Sequence, residues 1–60
     1  MQVYKVLNLS TDSNHNTEDL EGRLNSLQRE GKRIKEVIYL GSRSFIQTYQ
    51  IIYTEEEQVD

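Results

Sequence analysis

A chain of 60 residues with no Cys, one His and a formal net charge of -3 makes one domain at most, cannot be stapled by disulfides and offers no conventional zinc set. A domain of this length buries only roughly 60% of the surface its unfolded chain exposes, so oligomerisation or partner binding is the remaining source of extra stability. The acidic balance, with a pI near 5.0, disfavours nucleic acid, whose protein partners carry a basic patch or stripe.

Along the chain, Val3, Tyr4, Val6, Leu7 and Leu9 form a β-prone stretch over Gln2 to Leu9, which predicts a first strand. The polar run Ser10-Thr11-Asp12-Ser13-Asn14-His15-Asn16 predicts a mobile loop, and as the most polar connection it is a fair place for binding contacts.

A helix is expected over about 17 to 30. Asn16 or Thr17 can serve as its N-cap, with Glu18, Asp19 and Glu21 in the first turn, where carboxylates favour the positive end of the dipole. Leu20, Leu24 and Leu27 recur at i, i+4 and i+7 on one narrow face, and Gly31 stands where a helix ends. Gly22 inside the helix costs roughly 1 kcal/mol against Ala; a close backbone approach and tolerance on an exposed side are both open.

Ile34 through Tyr53 predicts a β-hairpin, with strands near 33–40 and 45–54 around Gly41-Ser42-Arg43-Ser44. Strict alternation puts Ile34, Ile38 and Leu40 on one face with Glu36, and Val37 and Tyr39 on the other with Lys35. On the second strand Phe45, Tyr49, Ile51 and Tyr53 oppose Ile46 and Ile52. The expected architecture is α+β in the order β-α-β-β, one domain over 1–54 with one helix on one face of a three-stranded sheet. Residues 55–60, mostly acidic, are expected to form a disordered tail.

Both faces of that sheet carry large apolar side chains, whereas a sheet packed on one side shows polar residues on the other. Four of the five aromatics are tyrosines, all in predicted strands, and Tyr suits an interface because its ring buries area while its hydroxyl tolerates a wet rim. The expectation is a self-interface built from Tyr4, Val37, Tyr39, Phe45, Tyr49, Ile51 and Tyr53, giving a homodimer.

Chemistry is harder to place. The single imidazole, His15, lies in the polar loop, a poor support for a catalytic constellation. The carboxylates fall at the helix start or in the tail, with no pocket to set two of them to different roles, and the 3 glycines are spread too widely for a phosphate loop. The expectation is a protein that is not an enzyme and uses no metal or cofactor. Arg29, Lys32, Arg33 and Arg43, with His15, could instead contact an acidic partner, or a nucleotide or other small ligand in a pocket between two copies. No apolar run approaches 18 residues and no secretory leader is evident, so a cytoplasmic protein without a membrane partner is expected.

With these elements in place, the chain resembles a family of short bacterial and phage proteins that share a Tyr-Lys-Val strand, a Leu-rich helix ending in Glu-Gly and a β-hairpin. The matching residues are Tyr4-Lys5-Val6, Leu20, Leu24, Leu27, Glu30-Gly31, Ile34 through Ile38 and the closing strand through Tyr53. Where that family commonly has an aromatic after the Glu-Gly, this chain has Lys32 and Arg33. In size and acidity it is also similar in style to small inhibitors that phages direct against host proteins, including defence systems. That resemblance implies a non-enzymatic protein that binds and inhibits a host protein in the host cytoplasm.

Overall fold

The computed structural model describes residues 1–57. It is an α+β fold: β1 (Gln2–Asp12), a 3₁₀ turn (Ser13–His15), α1 (Asn16–Arg29), β2 (Arg33–Arg43) and β3 (Ile46–Glu56). The sheet order is β1-β3-β2, and β3 runs antiparallel to both neighbours. The last strand therefore inserts between the first two, which leaves β1 and β2 as the edges.

The helix is one residue from its expected position, and its end follows from chain chemistry. Gly31, at φ 85°, donates its N–H to Gln28 O at 3.0 Å, and Lys32 N–H reaches back to Leu27 O, also at 3.0 Å. These two bonds are a Schellman motif, which needs a left-handed residue after the cap. Lys32 then folds down so that Nζ lies 5.4 Å from the Tyr53 ring centroid, within cation–π range.

Residues opposite each other in a ladder share a face. The β1–β3 register pairs Lys5 with Tyr53, Leu7 with Ile51, Leu9 with Tyr49 and Thr11 with Gln47 without interruption. This is the helix side, where Ile51 is fully buried and Leu27 of α1 is 4% exposed. The opposite, open side carries Tyr4, Val6, Asn8 and Ser10 of β1 against Thr54, Ile52, Gln50 and Thr48 of β3.

Strict alternation fails on β2. Register shifts fall between Ile34 and Glu36 and between Tyr39 and Gly41, each inserting one extra residue as a bulge does. Ile34 consequently faces Tyr53, on the same side as Val37 against Ile51 and Tyr39 against Tyr49, while Ile38 faces Gln50 on the open side. The expected grouping of Ile34 with Ile38 is thus corrected by the bulge at Lys35. Gly41 takes φ 127° at the second bulge, a conformation suited to glycine.

Three further boundaries move. Gly41, Ser42 and Arg43 belong to β2 rather than to the hairpin turn, which is Ser44-Phe45. Ser10–Asp12 continues β1 and Ser13–His15 is a 3₁₀ turn rather than a loose loop; Ser13 N–H and Oγ both donate to Phe45 O, at 2.7 and 3.0 Å. At the other end, Glu55 and Glu56 belong to β3 opposite Val3 and Gln2, and Glu57 N–H donates to Met1 O at 2.9 Å. The remainder of the expected tail, residues 58–60, lies outside the described residues. The Met1 amine and the Gln2 side-chain amide both donate to Glu56, and these bonds hold its carboxyl below the usual range.

The two helical glycine sites predict opposite outcomes. An added Cβ at Gly22 meets nothing within 4 Å, so Gly22→Ala should stabilise by about 1 kcal/mol through helix propensity. Gly31→Ala forces a Cβ into left-handed backbone and should cost about 1–2 kcal/mol. Urea unfolding of the two variants beside the parent, followed by circular dichroism, checks both signs.

Candidate interaction surface

The start of α1 is fixed to the sheet by one amide. Asn16 Oδ1 accepts from Thr11 Oγ1 at 2.6 Å and from Tyr49 Oη at 2.8 Å, which joins α1, β1 and β3 in a single network. Asn16 does not cap the helix as expected: His15 occupies the N-cap position and makes no side-chain cap bond. Asp12 instead caps the 3₁₀ turn by accepting from Asn14 N–H at 2.8 Å, and Gln47 Nε2 donates to Ser13 Oγ at 2.6 Å. Together these bonds make the polar run a tethered corner beside the hairpin tip.

The seven residues expected to share one outer interface are divided by the structure. Val37, Tyr39, Tyr49, Ile51 and Tyr53 lie on the helix side, and Tyr4 lies on the open side. Ile51 is core, at 0% exposure, and its burial against Leu7 and Val37 removes it from any outer surface. Tyr49 is half-buried, and its ring is tilted against Tyr39 with centroids 5.4 Å apart, in the range aromatic pairs prefer. Phe45 sits in the turn rather than in a strand and is 75% exposed.

Besides Met1 and Val37, the exposed apolar side chains fall in two regions. At the hairpin end Tyr39, Leu40, Phe45 and Ile46 are all exposed, and on the open side Tyr4 and Val6 are. Ile38 and Ile52 are half-buried beside them. Leu40 and Ile46 were not among the expected contacts; the signal was Gly41, since a lone glycine inside a strand pattern marks a bulge that can re-aim its neighbours.

The basic residues do not converge. Arg33 pairs with Thr54 at one end of β2, and Arg43 pairs with Ile46 at the other, about 30 Å away at strand rise. Lys32 is occupied, with Nζ 3.4 Å from Glu30 Oε1 and 3.9 Å from Glu55 Oε2. Arg29 bonds Ser26 Oγ at 3.2 Å on α1. His15 is solvent-facing, its Nδ1 3.9 Å from a Glu18 carboxylate oxygen. Among the described residues no three His, Asp or Glu side chains gather at a spacing that would hold a metal ion, and no helix is long and apolar enough to cross a membrane.

A shallow groove of about 570 Å³ runs between α1 and the outer edge of β1, lined by Leu9 and Ser10 below and by Glu18, Asp19, Arg23 and Arg29 among others along the helix.

The polar network yields a graded expectation. Tyr49→Phe removes one donor to Asn16 and should cost about 1 kcal/mol, whereas Asn16→Ala removes the shared acceptor of two hydroxyls, leaving Thr11 Oγ1 only Gln47 O at 3.5 Å, and should cost about 2 kcal/mol. Thr54 is 3% exposed and its Oγ1 has no partner among the described residues, so Thr54→Val should be neutral or stabilising by up to about 1 kcal/mol. Melting curves of the three variants test this order.

Compared with models of protein families, with curated proteins and with solved structures, the chain shows no match in any of the three.

Proposed function

We propose that this chain is a non-enzymatic interaction protein that works as a homodimer and acts by docking on a second protein. The observation that carries this reading is the uncovered hairpin end, where Tyr39, Leu40, Phe45 and Ile46 are 56%, 53%, 75% and 43% exposed. Large exposed apolar side chains concentrated at one end of a fold mark interaction sites more often than scattered single ones do, and here Tyr39 and Ile46 present the two faces of that end. Tyr and Phe are also the residues that anchor protein interfaces.

The specific form we favour is inhibition of a host protein by a phage or mobile-element product, of the kind that acts against host defence. Its support is the resemblance in pattern and style set out above, together with a surface that offers contact area rather than a reaction centre. The ligand-sequestering alternative draws less support, because Arg43 lies at the opposite end of β2 from Arg33 and Lys32 is engaged by Glu30 and Glu55. Nucleic acid draws least, given the net charge of -3.

The reading is tested by affinity capture from a bacterial lysate with the parent and with Tyr39→Ser/Phe45→Ser, whose altered side chains are both exposed. A partner retained by the parent and lost at least tenfold in the variant, with an unchanged circular dichroism spectrum, is the expected result. Equal recovery from both proteins would remove the hairpin end as the docking surface.

A further inference from the structure

The two edges of the sheet are not equivalent. β2 is interrupted by two register shifts and carries Arg33, Lys35, Glu36 and Arg43. Bulges and charges of this sort are the devices that keep edge strands from pairing with other chains. β1 is less protected: its register with β3 is unbroken from Gln2 to Asp12, and its charged residues are Lys5, whose Nζ lies 3.9 Å from Glu55 of β3, and the terminal Asp12. Every second backbone N–H and C=O of such an edge points away from its neighbour. Among the described residues no other backbone segment pairs with that outer side.

The helix flank above this edge is charged in order. Asp19, Arg23, Ser26 and Arg29 recur at helical spacing along the groove, with Glu18 beside Asp19, so the flank is acidic at its start and basic at its end. The Asn16–Thr11 bond fixes the acidic start over the end of β1. The Lys32–Glu55 contact carries the basic end toward the beginning of β1, because Glu55 pairs with Val3.

We propose that β1 is the self-association edge: two copies pair β1 to β1 antiparallel about a two-fold axis near Leu7, giving a continuous six-stranded sheet. In an isologous contact each patch meets itself in reverse. The acidic start of one α1 flank therefore faces the basic end of the other, twice per dimer, and the groove of each copy is occupied by the helix flank of its mate. A flank of one charge sign would repel its copy in this arrangement; this one is self-complementary. The occupant is thus a second copy of this chain, and the inference rests on the homodimer reading above.

The test is a charge swap. Glu18→Arg/Asp19→Arg makes the flank wholly basic, and Arg23→Glu/Arg29→Glu makes it wholly acidic; all four residues are exposed. Light scattering over a dilution series should give a dimer for the parent. Each swapped protein alone should dissociate at concentrations at least tenfold higher than the parent, and an equimolar mixture should recover a one-to-one dimer. If circular dichroism shows a swapped helix unfolded, Asp19→Lys and Arg29→Glu, alone and mixed, repeat the comparison. Swapped proteins that dimerise like the parent, or a mixture that stays monomeric, overturn the β1 edge while leaving the homodimer reading intact. A parent that is monomeric at every concentration overturns both.

Discussion

The constraint on which the rest of this structure depends is a mismatch of lengths. Each strand has 11 residues and α1 has 14, so the sheet extends about 36 Å at strand rise while the helix spans about 21 Å. One helix cannot roof such a sheet. The consequence appears in the overall dimensions, 45 × 19 × 16 Å with a radius of gyration of 12.9 Å, against about 10 Å for a compact domain of this length. It appears again in the core, where Leu27 and Ile51 are the buried apolar residues while Tyr39 and Phe45 stay outside. The apolar surplus that two-sided patterning announces is the part of the sheet the helix does not reach.

Because the helix is short, where it sits is decided by polar contacts at its two ends. At the start, Asn16 takes two hydroxyl donors, from Thr11 and Tyr49; at the end, the Schellman turn delivers Lys32 onto Tyr53 and Glu55. Leu20, Leu24 and Leu27 supply the apolar contact between these anchors. The sheet is thereby left open in specific places: the hairpin end, one whole face and the outer edge of β1.

Much of this was legible from residues alone. The helix, expected over about 17 to 30, and its stop at Gly31, the hairpin, and the order β-α-β-β follow from leucine spacing, glycine chemistry and β-branched runs. The errors have local causes. The run from Ser10 to His15 reads as a loose loop because its residues are polar, yet Thr11 is 2% exposed, its hydroxyl satisfied by a side chain five positions on. Glu55 and Glu56 read as tail because a triple Glu has no apolar face, yet they pair with Val3 and Gln2 at the sheet's end. On β2 period two holds only between the bulges, where Val37 and Tyr39 share one face and Glu36 and Ile38 the other; beyond them the two bulges reset the phase. Only Gly41 gave notice of one of them, and the bulge at Lys35 carries no glycine. Strand order is a long-range outcome that no local pattern encodes: Val37 to Leu40 of β2 is a longer unbroken apolar run than any in β3, yet β3 takes the centre.

These features bear on how a small protein can bind twice. Edge pairing consumes backbone groups and the helix flank, whereas docking through an apolar cluster consumes side chains at the hairpin end. In the order β1-β3-β2 the hairpin tip lies beside the Asp12 end of β1, on the side away from its outer edge, so an antiparallel dimer built on that edge would place its two hairpin ends at diagonally opposite corners of a continuous sheet. Burial of the β1 edge would add an interface to a domain in which Leu27 and Ile51 are the fully buried apolar residues among those described, and it would leave Tyr39, Leu40, Phe45 and Ile46 accessible on each copy. Stability and recognition would then be drawn from different surfaces, which is how a chain of 60 residues can hold a fold together and still keep apolar surface in reserve for a partner.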